Sequence, residues 1–391
     1  MNSILKNKYI FMFSSIFASG SSYLLNVTLI FLLNDKSQYV NYLSINSWSI
    51  YLSTFIYLSI IDLYISPERN LILLSELLNT SFYTLCFFSF IFLALFFSFE
   101  QEYISLAIIT TAISYSFIKL LTQYLLFDKK TEGVALIRYF RSLLIIISII
   151  ILYYLSTSEG IKLNSEIQLY IQGIICAIVI FFVIIVFNVK FKLDVKEMYK
   201  IYSIFKFRIA KRNLSLIFSM IHMPILYHII NKYNFIMSPK FIYSVGLILP
   251  MAYVLSLIIK EQVIIKLDSI GFNIIDKIAK SILFLLMVSF SILILTFGKN
   301  DYHQFISLIT LGILISFSGC IGLNISNKGL EKYDLTVNIV VMILLLLISN
   351  LKIIDSPSII IFLSILTISL KFIAQLLLAL FGKPHIKMNY K

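Results

Sequence analysis

The stretch VKFKLDVKEMYKIYSIFKFRIAKR, residues 189–212, sets Lys190, Lys192, Lys196, Lys200, Lys206, Arg208, Lys211 and Arg212 against only Asp194 and Glu197. It interrupts a chain that is apolar on both sides. Lys and Arg are retained on the cytoplasmic side of a membrane, so the stretch reads as a cytoplasmic loop near the middle of the chain. The 391 residues are 60% hydrophobic and 13% charged, with mean hydropathy +0.95. A soluble chain carries about a quarter charged residues; this composition is that of an all-α polytopic membrane protein. Cys86, Cys176 and Cys320 each fall inside an apolar segment, which leaves no disulfide or metal framework.

A spanning helix takes about 20 apolar residues. Twelve segments qualify: 9–33, 39–61, 77–99, 104–126, 134–155, 168–188, 209–230, 241–263, 279–297, 304–325, 335–351 and 357–382. The basic stretch divides them into two six-helix halves, 1–188 and 209–391, joined by a linker at 189–208 and ending in a short cytoplasmic tail. With the N-terminus inside, inner loops and inner helix ends hold 24 lysines and arginines and outer loops hold six. That asymmetry predicts both termini in the cytoplasm. The net charge of +13 is then a topology signal that also suits anionic membrane lipids, and it calls for no nucleic acid. Ala18-Ser19-Gly20 resembles a signal-peptide cleavage site, but the apolar run continues to Leu33, which predicts a retained span. The outer loops are short, the longest being Ser156–Ile167, and leave no room for a folded external domain.

The halves read as repeats at an offset of about 200 residues. Ser15 and Ser19 recur as Ser215 and Ser219, each after a basic pair. The inner loop FDKKTEG (127–133) has a counterpart in SNKGLEK (326–332), and Tyr42 and Ser44 in Tyr243 and Ser244. Six helices per half start both on the same side, so the repeats are parallel. Coincidence in a low-complexity sequence is the alternative.

A charge at mid-bilayer costs at least ~2.5 kcal/mol and normally faces protein or water. Lys371 lies about 16 Å from the inner end of the last helix, too deep to snorkel, with Ser364, Thr367 and Gln375 on its face. This stripe predicts a cavity-facing side; burial against backbone carbonyls, for stability alone, is the alternative. Lys119 shares its face with Tyr115, Ser116, Thr122 and Gln123, nearer the surface, where snorkelling competes. Arg138 and Arg141, at i and i+3, suit bidentate binding of phosphate, or simple flanking of the span. The first helix carries Ser15, Ser19, Ser22 and Asn26 and the seventh Ser215, Ser219 and His222, followed by Pro224; small residues of this kind also serve close helix packing. His222 is a candidate proton carrier or a satisfied structural histidine. Every Asp and Glu lies in a loop or near a helix end, so the expected interior is basic, without acids, and attracts anions.

No nucleotide-binding, metal-ligating or nucleophile–base pattern occurs, so neither an enzyme nor a cofactor is expected. The short outer loops also disfavour a membrane polysaccharide polymerase.

Three passages, LLNVTLIFLLNDKSQYVNYLSINS (24–47), IRYFRSLLIIISIIIL (137–152) and SNKGLEKYDLTVNIVVMILLLL (326–347), together with the twelve spans, resemble the MOP exporter superfamily. Within it they resemble the Wzx-type polysaccharide flippases of bacterial O-antigen and capsule clusters. The resemblance implies a central cavity between two six-helix halves, open to each side in turn, in the bacterial inner membrane. It implies undecaprenyl-diphosphate-linked oligosaccharide as cargo, with a polysaccharide polymerase and a chain-length regulator as partners beside the membrane lipids. Lys119, Lys371, Arg138 and Arg141 would hold the diphosphate, and Gln123, Gln375, Ser15, Ser19, Asn26 and His222 would accept sugars. Drug-exporting MATE relatives use membrane acids for cation coupling, which this reading of the sequence lacks; a cation-coupled small-molecule exporter and a membrane polymerase are the alternatives.

Overall fold

The computed structural model describes residues 2–33, 36–58, 60–65, 73–98, 106–158, 165–233, 238–270, 300–350 and 357–382. These form α1 (Asn2–Leu32), α2 (Lys36–Tyr57), a 3-10 turn (Ile60–Ile65), α3 (Leu74–Ser98), α4 (Leu106–Phe127), α5 (Thr131–Ser158), α6 (Ser165–Val186), α7 (Val195–Met220), α8 (His222–Lys232), α9 (Pro239–Ile270), α10 (Asn300–Asn327), α11 (Glu331–Asn350) and α12 (Pro357–Phe381). No strand occurs among the described residues. Nine helices among them are long and apolar enough to cross a membrane. The expected span at 279–297, the loop at 100–103 and the tail from 383 lie outside the described residues.

Two expected spans fall in helices outside those nine, and α2 shows why. It is rich in Ser, Asn and Tyr, yet Ser44, Ser47, Ser49, Ser53 and Thr54 are buried. Their hydroxyls donate back to carbonyls of the same helix: Ser47 to Ser44, Ser49 to Ile45, Ser53 and Thr54 to Ile50, at 2.6–3.2 Å. A hydroxyl satisfied in this way needs no water, so a modestly apolar helix can sit inside a bundle. The outward faces are apolar, with Phe87, Phe90, Ile150 and Phe181 all more than 60% exposed, as a lipid-facing surface requires.

The chain forms two compact units, one covering Met1–Tyr64 and Glu68–Asn213, the other Leu214–Lys391 with Ile65–Pro67. In the first, α1 packs on α5, α2 on α4, and α4 and α5 on α6. In the second, α8 packs on α11, α9 on α10, and α10 and α11 on α12. The order of pairing is the same. So is the detail of the loop that the sequence repeats. Lys129 (φ 58°) and Gly329 (φ 68°) both adopt the left-handed conformation. Around them Lys130 N–H donates to Leu125 O and Leu330 N–H to Ile325 O, while Lys129 and Gly329 donate to Leu126 and Ser326. Both are Schellman caps, 200 residues apart.

Prolines place the breaks. Pro224 lacks the N–H that would bond Met220 O, and its ring crowds that carbonyl; α7 ends at Met220 and α8 begins at His222. Ser238 Oγ accepts from Phe241 N–H ahead of Pro239, the first residue of α9, a favourable helix start. The basic stretch folds as well. From Val195 onward it is the amphipathic start of α7, capped by Asp194, whose Oδ1 accepts from Lys196 and Glu197 N–H at 2.9 and 3.2 Å.

A left-handed Lys carries strain of about 1 kcal/mol that Gly avoids. Lys129→Gly is therefore expected to raise the thermal unfolding temperature in detergent and Gly329→Lys to lower it, with the two shifts opposite in sign.

Candidate functional site

In the second unit the break at Ile221 turns backbone carbonyls of α7 toward α12. Lys371, only 2% exposed, donates to Ser219 O at 3.0 Å and Ser219 Oγ at 2.8 Å. Its Nζ lies 3.2 Å from His222 Nδ1. His222 is buried, with Nδ1 2.7 Å from Ser219 O and Nε2 3.3 Å from Asn338 O. Both ring nitrogens therefore face carbonyl acceptors. Asn338, fully buried, donates to Ser215 O, Ser215 Oγ and Asp334 Oδ2 at 3.1–3.2 Å. Gln375 donates to Asp334 Oδ1 at 2.6 Å, and the Ser215 hydroxyl donates to the same carboxylate.

This network corrects the expectation of an interior without acids. Asp334 stands in the first turn of α11, where a sequence reading leaves it at a helix end. The fold turns it inward to accept from Ser215, Asn338 and Gln375. A carboxylate at a helix N-terminus is favoured by the macrodipole. Here it also anchors the network that reaches, through Ser215, Asn338 and His222, to Lys371.

The first unit holds two clusters. In one, Asp62 is 4% exposed and accepts from Arg212 Nη2 at 3.3 Å, while its backbone carbonyl accepts from Arg212 Nη1 at 3.2 Å. The Tyr57 hydroxyl lies 3.5 Å from Asp62 Oδ1, and Lys119 Nζ sits 4.5 Å from the centre of the Tyr57 ring. Lys119 thus faces an aromatic ring beside a buried ion pair. α2 ends at Tyr57, short of the expected 61, because the chain turns into the 3-10 segment that carries Asp62.

The other cluster lies among α2, α4, α5 and α6. Gln172 donates to Tyr42 OH at 2.5 Å and accepts from Tyr115 OH, which also lies 3.3 Å from Asn46 Oδ1. The Arg141 guanidinium stands 5.9 Å from the Tyr115 ring centre, beside the Cys176 thiol. Its Nε is buried and meets no hydrogen-bond acceptor among the described residues. Arg138, one turn earlier on the same helix, donates to Ser15 Oγ at 2.6 Å and stacks over Phe11, 4.6 Å from the ring centre. The structure thus parts these two arginines, with Arg138 toward α1 and Arg141 toward α4 and α6.

Among the remaining candidates, Gln123 is 3% exposed and its Oε1 meets no donor among the described residues. Asn26 is half-buried on α1. Ser19 lies on α1 with its side chain outside those described. Lys371, His222 and Gln375 are brought together; Ser15 joins Arg138; Lys119 and Arg141 stand in separate clusters of the first unit.

Sequence reasoning missed Asp62, Asp334, Asn338 and Gln172, and it gave Tyr42 and Tyr115 no part in a site. One signal was available: Asn338 is 200 residues from Arg138 as Ser215 is from Ser15, and each pair is hydrogen-bonded. Among the described residues, no group of three or more His, Cys, Asp or Glu side chains is arranged to hold a metal ion.

No protein-family model and no curated protein matches the chain. The crystal structure of the eukaryotic MATE transporter AtDTX14 matches over 95% of this chain and 95% of that one, with TM-score 0.54 and 11% identity. At that identity the likeness is one of fold. This is a multi-pass membrane protein with the all-helical fold of a MATE transporter.

Removing one partner of a buried ion pair strands the other, at a cost of about 3–5 kcal/mol. Asp62→Ala and Arg212→Ala should each sharply lower the unfolding temperature in detergent, and Asp62→Asn with Arg212→Met should recover much of the loss; full recovery is not required, but equal loss in the double variant would contradict the pairing.

Proposed function

We propose that this protein is an exporter that moves a lipid-linked oligosaccharide, carried on undecaprenyl diphosphate, across the bacterial inner membrane by alternating access, with both termini in the cytoplasm. The MATE-like fold supports membrane export in general. The observation that carries the cargo is Arg141, a guanidinium inside the first helix bundle beside Tyr115, Tyr42 and Cys176, whose buried Nε meets no hydrogen-bond acceptor among the described residues. A cation so placed favours an anionic partner, and planar guanidinium donors match phosphate oxygens. The adjoining Tyr42, Asn46, Tyr115 and Gln172 present hydroxyl and amide groups of the kind that hold sugar hydroxyls. The polyprenyl tail would stay in lipid, and a polymerase and chain-length regulator would take the product.

A second reading has its own support. Asp334, held by Ser215, Asn338 and Gln375, is a carboxylate of the kind a cation-coupled exporter uses. In that reading Asp334 or His222 carries the coupling proton or cation.

Flipping of undecaprenyl-diphosphate-linked oligosaccharide in proteoliposomes separates the two. Arg141→Gln should lower the rate about tenfold, the order of one lost charge-assisted hydrogen bond, with the protein still in the membrane. Lys371→Glu should stop surface polysaccharide export in cells. Unchanged flipping in Arg141→Gln, with loss of cationic-dye export in Asp334→Asn, would favour the second reading.

A further inference from the structure

The start of α7 leaves a face whose composition neither transport reading uses. One side of the basic segment is fastened to the first unit. Phe191 stacks on Phe82 with ring centres 3.7 Å apart. Asn79 Oδ1 accepts from Lys192 N–H at 3.0 Å, and the Tyr202 and Thr84 hydroxyls meet at 2.7 Å. Ile201 and Phe205 are buried beneath. Thr84 lies ten residues into α3, about 15 Å along a helix that is itself a candidate span, Leu74–Phe97. The segment therefore lies along the first three turns of a membrane helix and then runs on into the span Ile209–Lys232.

The opposite face is open. Val195, Tyr199, Ile204 and Phe207 are 68, 76, 51 and 72% exposed, and Leu193 just ahead of the helix is 60% exposed. Lys196, Lys200, Lys206 and Lys211 are exposed among them. At 100° per residue these eight α7 positions share an arc of about 180°. Lys206 Nζ lies 5.2 Å from the Phe207 ring centre. Of the nearby acids, Asp194 caps the helix, Glu76 pairs with Lys200 at 3.5 Å, and Glu197 is half-buried at the border of this arc. A surface of ammonium groups interleaved with large apolar side chains suits neither plain water nor plain hydrocarbon. It matches the headgroup layer, where phosphates meet acyl chains.

We infer that the exposed face of residues 193–211 is a docking surface for the anionic phospholipid headgroups of the surrounding bilayer. The lysines contact headgroup phosphates, and Leu193, Val195, Tyr199, Ile204 and Phe207 enter the acyl border. The helix thereby rests on the membrane while its other face stays on α3.

Phe207→Trp in the full chain, reconstituted without cargo, tests this through quenching by brominated lipid, with the parent protein measuring the background of Trp48, the single native tryptophan. At equal mole fraction, brominated phosphatidylglycerol is expected to quench the introduced indole about threefold more than brominated phosphatidylcholine, given the attraction of each lysine for an anionic surface. The preference should vanish in K196Q/K200Q/K206Q/K211Q. Should that variant fail to fold, 1 M salt, which shortens the screening length to about 3 Å, should abolish the preference in Phe207→Trp alone. Equal quenching by the two lipids at low salt would overturn headgroup recognition. Absence of quenching by either would overturn contact with the bilayer. Shielding of the indole that grows with protein-to-lipid ratio would assign the face to a second copy instead.

Discussion

Hydrocarbon offers no hydrogen-bond partner, so a buried polar group in this protein either finds one inside its own bundle or stays unsatisfied. That constraint explains how a chain so apolar overall accommodates serine-rich helices such as α2, whose hydroxyls return to carbonyls three or four residues back. It also explains why Lys371 does not stand alone. Pro224 breaks the helix at Ile221, and Ser219 on the preceding turn offers Lys371 both a carbonyl and a hydroxyl. Sequence position puts the ammonium deep in the helix; a proline 147 residues earlier supplies the local geometry that receives it.

The two units show what a repeat keeps and what it lets go. The backbone is kept, in the order of helix pairing and in Schellman caps that coincide at an offset of 200. The chemistry is not. Where the first unit sets Arg138 on Ser15, the second sets Asn338 on Ser215. The second unit adds Asp334 and spends its lysine on an internal network. The first leaves the buried Arg141 Nε without an acceptor among the described residues. A guanidinium with an unspent donor can recognise something else. An ammonium bonded to a carbonyl and a hydroxyl, with a ring nitrogen 3.2 Å away, has little left to offer.

The basic stretch serves several ends at once. As a run of charge it orients the chain. Arg212 leaves that run to pair with Asp62 inside the first unit, and Asp194 and Glu76 draw on two more of its positions through a helix cap and an ion pair. The ammonium groups of Lys196, Lys200, Lys206 and Lys211 stay on the open face of α7. A surplus that looks uniform in sequence thus divides into buried structural charge and exposed surface charge.

The sequence alone determined the class of the protein, the places of its apolar helices among the described residues, and the repeat. These properties are written in mean hydropathy, in residue spacing and in local caps such as FDKKTEG and SNKGLEK, each of which acts within one helix or one turn. Tertiary structure decided which polar residues meet. Asp62 and Asp334 sit at helix ends, where a local reading leaves them in solvent, and only the packing of distant segments buries the first and turns the second inward. Tyr42, Tyr115 and Gln172 come from three helices and look like ordinary residues until α2, α4 and α6 converge. Burial and hydrogen bonding across more than a hundred residues of chain depend on how helices pack, and no window of sequence contains that information.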